Sequence, residues 1–171
     1  MNGLKENIVM ISANKIRNTF LTGREYPAGI LCLASIIRLY NETDADCLLK
    51  QWKQQQKNSV TLAEMKSLAI DLNFDANVRI MTVEQLNKLC TPAILLFMNE
   101  LGKCDFVVCY GLRGKRFVVW EPSFGWMQYE PEEVECMWVR GMALVVLPFF
   151  LNFYFSNKIN EKKYSSPELL D

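Results

Sequence analysis

The 171-residue chain is expected to fold as an α+β domain, with N-terminal helices packed on an antiparallel sheet. Three observations predict it. Segments of helical period fill the first half of the chain, and apolar runs of strand length fill the second. Short stretches containing Gly separate the later runs, as hairpin turns do. Half of the residues are apolar, enough for one sizeable core at this length but not for two comfortable ones. The expected organisation is a domain over 1–148, with its core in 22–148, followed by a tail or linker over 149–171.

Residues 1–22 mix apolar and polar types without a clean period and are treated as an irregular lead-in. Pro27 suits the first turn of a helix, where its missing N–H has no intrahelical partner anyway. The run from Ala28 to Tyr40 is apolar on nearly every face, which describes a central, buried helix. Arg38 interrupts it, and it falls short of the about 20 apolar residues a bilayer crossing needs. No direct membrane span is therefore expected.

Asn41 to Asp46 supplies a turn and cap for a second helix over Ala45 to Gln54, with Leu48, Leu49 and Trp52 on one side. Thr61-Leu-Ala-Glu64 has the pattern of a capping box for a helix through Leu72. Ala76 to Ile80 reads as a short strand, Thr82 caps a short helix through Leu89, and Pro92 to Met98 is a continuous apolar strand. Strand candidates Asp105–Tyr110, Arg116–Trp120 and Trp126–Tyr129 follow, with Gly111–Lys115 and Ser123–Gly125 as turns. Pro131 to Trp138 begins as helices do, with proline and acidic residues, and Met142 to Leu147 closes the domain as a buried strand.

Nineteen basic residues balance nineteen acidic ones, so no net field draws the chain to nucleic acid. The lysines at 50, 53 and 57 and those at 158, 162 and 163 read as solvated faces. Six cysteines show no CxxC pair, and no secretory signal precedes them, which points to reduced thiols in a cytosolic setting. Histidine is absent, removing the commonest general base and the commonest zinc ligand. No metal or cofactor is expected.

Five local patterns in this element order carry a resemblance. Ala28-Gly-Ile-Leu-Cys32-Leu-Ala34 opens the central helix, Thr61-Leu62 starts the third helix, and Pro92-Ala-Ile-Leu95 begins a strand. Asp105-Phe-Val-Val108 and Glu121-Pro-Ser-Phe-Gly125 follow. From about Thr22 to Pro148 the chain resembles the papain-like peptidase domain of bacterial ABC exporters that cleave double-glycine leaders from bacteriocins. The resemblance implies a papain-like fold. It also places the family's nucleophile at Ala28, its base at Asp105, its orienting residue at Glu121 and its oxyanion glutamine at Thr22.

Those substitutions predict a pseudo-peptidase, because a methyl group at position 28 leaves no thiol to activate. Cys32 lies one turn further along the same face. An apolar setting and the Asp105 anion would both raise its pKa, so packing is the favoured role. Asp105 and Glu121 could form a carboxylate pair of the aspartic-protease kind. The plainer alternative, two carboxylates facing water at a groove edge, is favoured because such chemistry needs a defined cleft as well.

Loss of the thiol and imidazole leaves peptide binding possible, since an extended segment needs only backbone hydrogen bonds and side-chain pockets. Candidate peptide-binding residues are Tyr26, Phe106, Trp120, Phe124 and Trp126, with a core role as the alternative for each. The resemblance implies docking of a secreted peptide or protein cargo at the cytoplasmic face of the bacterial inner membrane, with the membrane and ATPase domains of an ABC exporter as partners. A stand-alone adaptor or regulatory subunit, using the same fold as an interaction surface, is the alternative. Pro148 to Phe155 fits a link, a docking patch or a folded-back tail.

Overall fold

The computed structural model describes residues 25–149 and 151. Thr22, the lead-in and the tail beyond Leu151 lie outside the described residues.

Helix α1 spans Ala28–Tyr40, as its sequence predicts. Pro27 is its N-cap, and the Pro27 carbonyl accepts the N–H groups of Ile30 and Leu31 at 3.0 and 3.1 Å. The helix is buried from Gly29 to Ile37. Gly29 is where it presses closest on its neighbours: a Cβ there would lie 2.5 Å from Val60 Cγ1 and 2.9 Å from the Phe106 ring. A side chain at 29 would push α1 off the sheet.

Helix α2 spans Glu42–Gln55 and begins three residues earlier than expected. Asn41 Oδ1 accepts the amides of Thr43 and Asp44, so Asn41 caps the helix directly. Glu42 and Asp44, read in the sequence as turn residues, occupy the first turn, where acidic groups complement the helix dipole. Helix α3, Leu62–Asp71, starts at the expected capping box. Glu64 N–H donates to Thr61 Oγ1 at 3.2 Å, and Thr61 N–H donates to Glu64 Oε2 at 2.9 Å.

The strands are β1 (Phe74–Ile80), β2 (Ala93–Met98), β3 (Cys104–Arg113), β4 (Arg116–Glu121), β5 (Gly125–Tyr129) and β6 (Trp138–Pro148). Short helices α4 (Val83–Asn87) and α5 (Pro131–Met137) interrupt them. Together the strands form one antiparallel sheet in the order β1-β6-β2-β3-β4-β5.

Strand β1 begins two residues earlier than expected, and two strands differ more substantially. Gly111 belongs to β3 rather than to a turn: it sits in a bulge between Cys109 and Leu112 with φ +91°, and the chain reverses at Gly114 and Lys115. Strand β6 starts at Trp138, and its pairing with β2 jumps from Phe97↔Trp138 to Leu95↔Ala143. The residues between bulge outward, so alternation is lost there. Trp138 Nε1 donates to Met142 O at 2.7 Å across the bulge, and Gly141 O accepts Met81 N–H at 2.9 Å.

Each face of the sheet holds a core. On one side Ile30, Ile36, Leu48 and Met65 pack with Ile94, Val108, Trp120 and Leu144. On the other, Leu86 and Val134 pack with Leu95, Val107, Phe117 and Val145. Neighbours such as Ile94 and Leu95 thus face opposite cores, which explains why the middle strands read as unbroken apolar runs. Among the described residues, no helix is long and apolar enough to cross a membrane.

Candidate functional site

Ala28 stands half-buried at the first position of α1 and presents only a methyl group. Cys32, one turn along, is 0% exposed. Its Sγ–H donates to Phe106 O at 3.4 Å, tying α1 to β3. Burial holds this thiol well above the ordinary thiol range, and the negative charges of Asp105 and then Glu121 push it further the same way. It remains a neutral, inert group at physiological pH.

Asp105 lies near the start of β3 and Glu121 at the end of β4, neighbouring strands of the sheet. Asp105 Oδ1 accepts the Phe106 N–H at 3.0 Å. Glu121 Oε1 accepts a short hydrogen bond from the Tyr129 hydroxyl. Burial raises the Tyr129 phenol above its usual pKa, and the hydrogen bond to Glu121 and the charges of Glu121 and Glu133 raise it further. Tyr129 is therefore a fixed donor that orients the Glu121 carboxylate.

These two carboxylates line one cavity of about 200 Å³, walled by Phe97, Phe106, Phe124 and Tyr129. Neither Ala28 nor Tyr26 lines it. Asp105 and Glu121, the expected base and orienter positions, therefore share a cavity to which Ala28 does not contribute. Such an arrangement can accept hydrogen bonds and hold a positive charge against aromatic walls.

The five aromatic candidates separate. Phe106 and Phe124 reach the cavity, and Phe124, at the β4–β5 turn, is 79% exposed. Tyr26 is partly buried against the helical core. Trp126 is 40% exposed and tilts over Tyr110 at a centroid distance of 5.3 Å. Trp120 corrects the expectation: at 2% exposure it is a core residue between the sheet and α1–α3, because β4 is covered on both faces. Tyr129 and Phe97 were missed. The signal for Tyr129 lay in the hairpin, where a three-residue turn pairs Glu121 with Gly125 and sets Tyr129 on the same face.

All six cysteines are free thiols. Cys109, buried in the sheet, is pushed up to about 12 by desolvation, and Tyr40 is raised to about 12 for the same reason. In an unfolded chain such groups ionise near roughly 8.5 and 10. Their stabilisation is present below those values and is lost as pH rises through them toward 12. The urea midpoint is therefore expected to hold between pH 7 and 8. Above about pH 9 the midpoint should fall, the unfolding free energy dropping by up to about 1.4 kcal/mol per pH unit for each group once pH passes that group's unfolded value. Cys109→Ala should flatten the lower part of that fall, and an unchanged midpoint through pH 11 would contradict the assignment.

Comparison with solved structures places this architecture. The peptidase domain of Streptococcus ComA, a bi-functional ABC transporter involved in a quorum-sensing pathway, superposes with a TM-score of 0.61. It shows 20% identity, with 75% of this chain and 96% of that one covered. A double-glycine-motif protease from an AMS/PCAT transporter, solved in complex with the leader peptide, gives a TM-score of 0.59. Identity there is 19%, with 75% and 90% of the two chains covered. No curated protein matches the sequence. Helices on an antiparallel sheet are thus the papain-like arrangement of these transporter peptidase domains. The Peptidase C39 family profile matches residues 17–149, most of the chain, and this protein belongs to that family.

Proposed function

We propose that this chain is a non-cleaving member of the family, which docks a secreted polypeptide for an ABC exporter at the cytoplasmic face of the bacterial inner membrane. The cargo is a leader peptide or an unfolded segment. One observation carries this reading: the positions that would hold nucleophile, base and orienter carry Ala28, Asp105 and Glu121, and the nearby thiol of Cys32 is buried and kept neutral. Covalent catalysis by a thiol requires a base or cation beside the sulfur, and here the charged neighbours of Cys32 are anions. Binding has no such requirement.

The exposed ring of Phe124 beside a concave, partly apolar cavity supports docking, since aromatic anchors beside pockets dominate peptide interfaces. The test is a titration of two labelled probes, a double-glycine leader peptide and an unfolded cargo segment, followed by mass spectrometry after overnight incubation. The expected outcome is saturable binding of at least one probe, recovered intact, with Phe124→Ala weakening it by about 1–2 kcal/mol. Recovery of a peptide cut after the double glycine would overturn the non-cleaving reading. If neither probe binds, docking is excluded.

A further inference from the structure

We infer that the cavity between β3, β4 and β5 is a specificity pocket for a basic side chain, arginine or lysine, of the docked polypeptide. The inference rests on the docking reading above and deepens it by naming what the pocket selects.

Size comes first. About 200 Å³ lies below the roughly 300–1,000 Å³ of small-molecule sites, and suits one long side chain rather than a cofactor or metabolite. The wall chemistry then selects its class. Asp105 and Glu121 line the cavity together, with Lys103 the one cation among its described lining residues. Glu133 adds a further negative charge close enough to act on Tyr129. The excess is negative.

The carboxylates are also held for use. Asp105 is fixed through Oδ1 by the Phe106 amide, and Glu121 through Oε1 by the Tyr129 hydroxyl. The second oxygen of each is left for an incoming donor. Phe97, Phe124 and Tyr129 line the cavity and offer aromatic surface along which an alkyl stem can lie and over which a guanidinium can stack. Arginine satisfies this set best, because its planar fork can serve two acceptors at once. A neutral apolar side chain would bury the carboxylates without a partner, and an acidic one would add repulsion.

The experiment uses the full chain and four capped decapeptides that share one Ala/Gly sequence around a single central Arg, Lys, norleucine or Glu. Binding is followed by fluorescence anisotropy at 50 and 300 mM salt. Arg and Lys peptides are expected to bind at least about five-fold more tightly than norleucine at low salt, with Glu weakest and the preference shrinking at high salt. Asp105→Asn combined with Glu121→Gln should abolish the preference, whereas Lys103→Ala should enlarge it. Equal binding of all four peptides, or a preference that survives the double substitution, would overturn this inference while leaving docking intact. If neither these peptides nor the leader and cargo probes bind, both readings fall together.

Discussion

A cysteine placed alone at position 28 is expected to be a poor nucleophile. In Ala28→Cys, the new thiol should react with iodoacetamide at pH 7.5 no faster than the exposed thiols of Cys47 and Cys136, which serve as internal references. The physical reason is the sign of the surroundings. Cys32, one turn along the same helix face, has its pKa raised first by burial and then, in the same direction, by the charges of Asp105 and Glu121. A free thiol with a pKa of about 8.5 is roughly one-tenth thiolate at this pH, and a rise of one unit leaves about one-hundredth. Adding Asp105→His exchanges an anion for a group that can form an ion pair with the sulfur, the arrangement that lowers cysteine pKa to about 3.5–7.5. The double variant should therefore react at least about ten-fold faster than Ala28→Cys at that site. Site-resolved mass spectrometry reads both rates. Equal rates in the two variants would mean that position 105 does not face position 28, and would remove the assignment of these residues to a former catalytic site.

Gly141→Ala is expected to produce the largest loss of stability from a single methyl group, roughly 2–4 kcal/mol by urea denaturation. Two costs combine. Gly141 has φ +64°, where alanine is disfavoured by about 1–2 kcal/mol. An added Cβ would also stand 2.3 Å from the carbonyl oxygen of Met81. That atom is backbone and cannot rotate aside, and Met81 N–H is already committed to Gly141 O. Gly114→Ala separates the two contributions, because Gly114 has the same φ of +64° with nothing within 4 Å of the added carbon. It should cost only the backbone share, about 1 kcal/mol. Similar losses in both variants would show that the close approach of β6 to Met81 is not tight.

Local signals in the sequence located most of the elements. Pro27 and the apolar run to Tyr40 gave α1 its observed limits, and Thr61 with Glu64 formed the capping box their spacing predicts. Gly111 misled because glycine is common both in turns and in bulges, and only cross-strand register tells them apart. Likewise, the bulge between Trp138 and Ala143 hid the first part of β6, since it breaks the alternation that marks a strand. Strand order was not legible at all, because it depends on pairings distant in the chain. The site is legible in part. Asp105, Glu121, Phe106 and Phe124 do meet around one cavity, but the sequence leaves Trp120 open between groove and core, because an aromatic on a strand looks the same whether one face of the sheet is covered or two.

The position of β6 in the sheet also governs how the chain can be made. The last of the described strands in sequence lies between β1 and β2, and both pair with it. As the polypeptide leaves the ribosome, β2 to β5 can join as successive neighbours, and α1 to α3 can begin to gather. Among the described strands, edge strand β1 has no partner until residues 138–148 have emerged. Completion is therefore post-translational for any chain that stops near the end of this domain, and co-translational wherever more polypeptide follows. Until then β1 and β2 both present open backbone edges, the interval in which a nascent chain is most exposed to aggregation or to a chaperone.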